Sequence, residues 1–256
     1  MSCFQLIDNI LIPFTDKKIN GISCGFTLPY YGNMALTRES TSSGKSTVEN
    51  RKDLSDYLGV NINRFFYPYQ IHSDKIIYVD EKNAGCGSVT IGNAIQGDAC
   101  ITDKKSILLF VTWADCIPLL MFDPVEKIIC AVHSGWKGTH QRIVEKSIAA
   151  FSEMGSKIEN INVAIGPGIR NCCYKVGQEF MGYFKDYSKL VNETEKGIYF
   201  DLSGCVYEKC IESGIKKSNL EFYGHCTSCN VDPQFFSCRR QGKDDFEGQA
   251  AFIFMT

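Results

Sequence analysis

The sequence predicts one α/β domain spanning residues 1–256. Three observations carry this expectation. The chain is 256 residues long and no long polar linker divides it, which suits one large domain. Its composition is 44% hydrophobic and 22% charged, enough apolar material for a sizeable core. From Ser106 onward, apolar runs of strand length alternate with amphipathic segments of helix length, as an α/β chain requires.

Taken in order, the first 47 residues read as short strands such as Ile22–Phe26 between turn residues. Thr41–Ser46 forms a polar loop, and its Gly-Lys-Ser lacks the upstream glycine and apolar strand of a phosphate-binding loop. Residues 47–59 read as an amphipathic helix, capped by Thr47, with Val48, Leu54 and Leu58 on its buried side and Gly59 ending it. Arg64–Gln70 leads into Ile71–His72–Ser73, and Lys75–Asp80 alternates as a half-buried strand does. Residues 84–97 are a glycine-rich loop. Ser106–Thr112, Ile117–Phe122 and Lys127–Val132 are apolar runs that read as buried strands, the last two divided by an Asp123–Pro124 turn. Residues 139–154 read as a helix burying Ile143, Val144, Ile148 and Phe151. Asn162–Ile165, Leu220–Tyr223 and Ala250–Phe254 read as strands, and 176–187 and 202–213 as helices.

A net charge of −2 gives no long-range pull on nucleic acid. No apolar segment approaches the ~18 residues of a membrane span, and the opening MSCFQLIDNILIPFTDKK lacks the pattern of a signal peptide. Thirteen cysteines, an odd and irregularly spaced set, suit a reducing, cytoplasmic setting in which most are small buried hydrophobes.

The chain has four histidines. His72 and His133, with Cys116, stand on turns at strand ends, where chemistry is usually placed. The strands after Cys116 and before His133 are consecutive, and pairing would bring these residues together. Two imidazoles and a thiolate suit zinc, and three protein ligands leave the open fourth position of a catalytic site. The same residues also read as a Cys116 nucleophile with His133 as base, oriented by Asp98 or Asp115, or simply as a core cysteine with hydrogen-bonded histidines. Cys226-x-x-Cys229 is half of a zinc ribbon, which Cys172–Cys173 and Cys238 could complete; a reduced surface loop is the plainer reading. Lys137 and Arg239 are candidate phosphate ligands, helped by backbone donors around Gly135 and Gly138. Trp113, Trp136, Phe235 and Phe236 are candidates to stack on a flat base, or core residues.

These motifs resemble, in order, those of the laccase-domain family. They are Gln70–Ile71–His72–Ser73, Gly97–Asp98–Ala99, Ala114–Asp115–Cys116–Ile117–Pro118, His133–Ser134–Gly135–Trp136–Lys137–Gly138, Ile165–Gly166–Pro167–Gly168–Ile169 with Cys172–Cys173–Tyr174, and Phe235–Phe236–Ser237–Cys238–Arg239–Arg240. The resemblance covers about residues 20–256. It implies central mixed β-sheet layers flanked by helices, with zinc on His72, Cys116 and His133. It also implies purine nucleosides and phosphate as partners: phosphorolysis of adenosine, inosine and S-methyl-5′-thioadenosine, and deamination of adenosine. For deamination, Asp98 or Asp115 is the candidate acid that protonates the leaving amine. A Cys116–His133 amidase acting on peptidoglycan precursors and a copper-dependent polyphenol oxidase are the alternatives. Four histidines are too few for a multicopper centre, since such sites favour imidazole. The family's N-terminal segment lines the substrate pocket. Here it departs from the pattern: the usual arginine is missing from Cys24–Pro29, and Asn33, a candidate substrate ligand, is displaced. Trp113 replaces a smaller residue and would add bulk beside the metal.

Overall fold

The long apolar runs have no polar face to offer water, and they become the strands of two stacked sheets. A computed structural model describes residues 4–15, 21–38 and 41–256. Parts of the opening segment, residues 1–3 and 16–18, lie outside the described residues, as does Cys3. One six-stranded sheet runs β1 (Gln5–Ile7), β2 (Ile10–Ile12), β3 (Ile22–Thr27), β15 (Gln249–Met255), β7 (Leu108–Trp113), β4 (Phe65–Phe66). The other runs β14 (Leu220–Phe222), β10 (Asn162–Ile165), β8 (Ile117–Asp123), β9 (Ile128–Ser134), β6 (Ala99–Thr102), β5 (Ile76–Tyr78). Both are mixed: β4–β7, β5–β6 and β10–β14 are parallel pairs in otherwise antiparallel sheets. A small third sheet joins β11 (Lys175–Val176), β13 (Gly197–Phe200) and β12 (Val191–Thr194).

Side-chain alternation explains why these strands are apolar at every position. In β8, Leu120 and Phe122 enter the core between the sheets, while Ile117, Leu119 and Met121 enter the core on the far face. In β15, Ala251 and Ile253 face inward and Phe252 and Phe254 outward. The outer face of the first sheet is covered by α1 (Thr47–Leu58), through Leu54. The outer face of the second is covered by α3 (Ile143–Glu153) and α4 (Leu202–Glu212). Burying each Leu, Ile or Phe stabilises by about 1.5–3 kcal/mol, so both faces contribute. This is the mixed α/β architecture with flanking helices that the family resemblance implied. Among the described residues no helix is long and apolar enough to cross a membrane.

Four local readings are corrected. The cap of α1 is Ser46, not Thr47: its hydroxyl accepts from Glu49 N–H while the Glu49 carboxylate accepts from Ser46 N–H, a reciprocal capping box. The buried side of α1 includes Asn50 and Arg51; Arg51 donates to the carbonyls of Met34, Gly87 and Ser88, and its plane lies 4.5 Å from the Tyr67 and Phe110 rings. The helix expected over 139–154 is two helices, α2 (Trp136–His140) and α3, broken at Arg142, whose φ is +71°. The segment 176–187 forms 3-10 turns, Gln178–Tyr183 and Lys185–Leu190. Gly177 and Gly182 weaken a regular helix there, while Phe180 and Phe184 pack on Phe200. A last short helix, α5 (Cys238–Gln241), carries Arg239.

Candidate active site

The register of β8 and β9 builds the centre of the site. The strands are antiparallel with Pro118 opposite His133, so Cys116, just before β8, emerges beside His133. His72 arrives from the loop before β5. The donor atoms of His72, Cys116 and His133 all lie within 4.8 Å of one another, with Cys116 Sγ 3.8 Å from His72 Nε2. Zinc bonds of ~2.0–2.3 Å put tetrahedral donors roughly 3.3–3.8 Å apart. Two imidazole nitrogens and one thiolate at this spacing fit a metal ion with a fourth position open.

One buried carboxylate organises the group. Asp98, fully buried, accepts from the backbone N–H of Ile71, His72 and Ser73 and from the Ser73 hydroxyl at 2.6–3.2 Å. It also lies 3.0 Å from His133 Nδ1. That pairing leaves the other ring nitrogen of His133 for the sulfur or a metal. His72 itself holds φ +58°, a conformation that costs a non-glycine residue about 1–3 kcal/mol and persists only where its surroundings enforce it. The Asp98 carboxylate is that enforcement. Gly135 is required by close approach: a Cβ there would stand 2.8 Å from His72 Cδ2 and 3.0 Å from Cys116 Sγ.

The electrostatics follow from the same contacts. Burial pushes the Cys116 thiol up, but His133 and His72 outweigh it and bring it down to about 6. Burial pushes His133 down, but the Cys116 sulfur and Asp98 carry it up to about 10. Burial alone would raise the Asp98 carboxyl; His133 and Ser73 hold it below its ordinary value. These contacts favour a Cys116 thiolate facing a His133 imidazolium.

Two cavities meet at this centre. One of about 260 Å³ is lined by Arg38, Tyr69, Gln70, Trp113 and Phe246 as well as by His72, Cys116 and His133. The other, about 450 Å³, shares His72, Cys116 and Phe246 and adds Tyr174, Arg239 and Lys243. Arg38, Lys243 and Phe246 were not anticipated from the sequence. The Arg38 guanidinium stacks 4.2 Å from the Phe246 ring.

The other anticipated residues fall as follows. Arg239 lines the second cavity. Lys137 is exposed and lines neither cavity, its Nζ lying 5.8 Å from the Trp136 ring. Asn33 is fully buried and binds Ala35, Arg38, Thr47 and Gly248; it shapes the loop that carries Arg38 and does not line the cavities. Asp115, with φ +85°, accepts from the Thr227 hydroxyl at 2.6 Å and from Arg239 N–H at 2.7 Å. Its carboxylate therefore anchors the start of α5. The bulk of Trp113 is directed into the core between the sheets, edge-on to Phe26. Phe235 is buried in that core too, and Trp136 packs on Phe180 and Tyr183. His140 and His225 stand elsewhere, beside Tyr183 and Asn230.

A second group of thiols, Cys172, Cys173, Cys226 and Cys229, also converges, whereas Cys238 lines the second cavity.

With this geometry established, comparison with known proteins gives a consistent result. The family model described as multi-copper polyphenol oxidoreductase laccase matches residues 16–256. A Clostridium acetobutylicum protein named purine nucleoside phosphorylase is 34% identical over 206 residues, 80% of each chain. A protein named adenosine deaminase RL5, from an unknown prokaryotic organism, is 29% identical over 203 residues, 76% of this chain and 77% of its own. Among solved structures, YfiH of Bacillus licheniformis superposes with a TM-score of 0.90 at 25% identity, covering 99% of both chains.

Proposed function

The chain belongs to the multi-copper polyphenol oxidoreductase laccase family, and from that premise we propose that it is a zinc-dependent purine nucleoside enzyme. The proposed reactions are phosphorolysis of adenosine, inosine and S-methyl-5′-thioadenosine to base and (methylthio)ribose 1-phosphate, and deamination of adenosine to inosine. The observation that carries the reading is the junction of two unlike cavities at one His-Cys-His centre. The printed names of the relatives support the substrate class.

In this proposal the purine lies in the smaller cavity, between Phe246 and Tyr69, whose flat rings suit a base. Arg239 and Lys243 bind phosphate in the larger one, as cations suited to that anion. His72, Cys116 and His133 hold zinc between them. Zinc held there supplies Lewis-acid chemistry to the reacting bond. Asp98 fixes the tautomer of His133 and the backbone of His72, so it is a positioning residue. Asp115 positions Arg239 through its bond to that residue's N–H. We place the whole chain in one domain, since the two cavities draw on both sheets and the loops between them. Copper polyphenol oxidation is disfavoured, because only two imidazoles meet at the site.

A second reading has one specific observation in its favour. The series Asp98, His133, Cys116 has the order of an oriented base and a thiol nucleophile, which would suit an amidase. That reaction gives His72 Nε2, 3.8 Å from the same sulfur, no part beyond favouring the thiolate. Incubation of zinc-loaded protein with adenosine and phosphate tests the proposal: free adenine and ribose 1-phosphate support it, whereas release of an amino acid from a peptidoglycan precursor with no nucleoside turnover supports the amidase.

A further inference from the structure

We propose that Cys172, Cys173, Cys226 and Cys229 form a second metal site, a closed tetrathiolate for one zinc ion that ties two loops together behind the active-site groove. The four sulfurs come as two pairs, Cys172–Cys173 and Cys226 with Cys229, from distant parts of the chain, yet lie within 4.8 Å of one another, with Cys172 and Cys229 Sγ 3.5 Å apart. Four sulfurs at ~2.3 Å from one zinc stand roughly 3.8 Å from each other, so the cluster is the size of a mononuclear site. Four protein ligands and no open position make it structural in type.

The local backbone is already arranged for it. Cys226–Thr227–Ser228–Cys229 forms a turn, with Asn230 N–H closing onto the Cys226 carbonyl. Backbone N–H groups of Arg170, Cys229 and Ser228 face the Cys226 sulfur, an environment suited to the charge of a bound thiolate. The other two cysteines sit on the turn after Arg170, where Cys173 and Tyr174 N–H donate to the Arg170 carbonyl. Thiolates and zinc in a four-to-one ratio carry two net negative charges. The Arg170 guanidinium interacts electrostatically with Cys172 and Cys226, and its pairing with Asp201 holds it in place.

The consequence reaches the groove. Thr227, inside the Cys-x-x-Cys turn, donates to Asp115, the neighbour of Cys116, and its N–H donates to the Gly168 carbonyl. Tyr174, next to Cys173, lines the larger cavity. Zinc at the four thiols would lock these loops as one piece. On binding, each thiol loses its proton to solvent and no electron moves, so metal uptake releases protons.

The test is metal counting on full-length protein purified in reductant, with zinc supplied and excess removed. The wild-type chain should hold about two zinc ions, the Cys172→Ser/Cys229→Ser variant about one, and the His72→Ala/Cys116→Ala variant about one. Cobalt bound to the last variant should show the charge-transfer absorption of a thiolate centre. If the cysteine pair variant fails to fold, the His72→Ala/Cys116→Ala protein still decides, because it retains all four thiols. A variant of that kind with no zinc overturns the proposal. So does a mass two hydrogens low that maps to a Cys172–Cys229 disulfide under the same reducing conditions.

Discussion

Nδ1 of His133 lies 3.0 Å from the carboxylate of Asp98, and the same carboxylate holds the backbone of the loop that carries His72. One buried side chain thereby sets two of the three candidate ligands. Asp98→Asn keeps the shape but removes the charge and turns an acceptor into a donor toward one of its partners. Zinc affinity at the triad and nucleoside turnover should both fall roughly 10- to 100-fold, with the circular dichroism spectrum retained. Unchanged affinity in a chelator competition would remove Asp98 from its positioning role.

Gly135 tests the spacing of the triad directly. Its missing Cβ would meet His72 at 2.8 Å and Cys116 Sγ at 3.0 Å, so Gly135→Ala should push these two apart. The expected result is loss of zinc from the triad, while zinc at the four-cysteine group stays. Retention of both would mean that the loop carrying His72 yields more easily than its bonds to Asp98 indicate.

The charge state of Cys116 is readable by alkylation of the zinc-free protein. An ordinary cysteine titrates near ~8.5, whereas Cys116 is brought down to about 6 by the two histidines against the effect of burial. Below that pH the protonated thiol should react slowly, and above it the thiolate should react fast. The half-maximal rate, followed at the Cys116 peptide by mass spectrometry, is expected near pH 6. Zinc should suppress the reaction. A midpoint near that of free cysteine would contradict the thiolate–imidazolium pairing.

Phosphate binding is assigned to the cavity that contains Arg239 and Lys243. A lost charge-assisted hydrogen bond is worth ~1.5–3 kcal/mol, or roughly ten- to more than hundredfold in kcat/KM. Arg239→Met should weaken adenosine phosphorolysis by about that factor, with partial rescue at high phosphate, and should affect deamination much less. Lys137→Met should cost less than Arg239→Met, since Lys137 lines neither cavity. Equal loss of adenine and inosine formation in Arg239→Met would mean that Arg239 shapes a common site.

Much of the fold was legible because its signals are local. The three apolar runs Ser106–Thr112, Ile117–Phe122 and Lys127–Val132 became β7, β8 and β9 within a residue or two, since burial on both faces leaves no ambiguity. Cys116 and His133 could be paired from the order of β8 and β9 alone. What could not be read depends on long-range contact. Arg51 looks like a surface residue of α1, yet it is buried because the carbonyls of Met34, Gly87 and Ser88 converge on it from two loops. Asn33 looked like a ligand for substrate but is consumed in holding Ala35, Thr47 and Gly248. Arg38, Lys243 and Phe246 lie in polar stretches with no periodicity to mark them, and only the folded loops bring them to the groove. Lys137 sits beside the His133 motif in sequence, but α2 turns it out to solvent.

The account stands on one site serving nucleoside chemistry through three ligands, and His72 separates that from the thiol mechanism most directly. The measurement is adenine and ribose 1-phosphate formed from adenosine and phosphate by zinc-loaded wild type and His72→Ala, on preparations of known metal content. The account predicts stoichiometric base and sugar phosphate from the wild type, and loss of that turnover in His72→Ala together with the triad's zinc. Wild-type protein with its triad zinc in place that forms neither product, or His72→Ala that keeps full turnover, would contradict it.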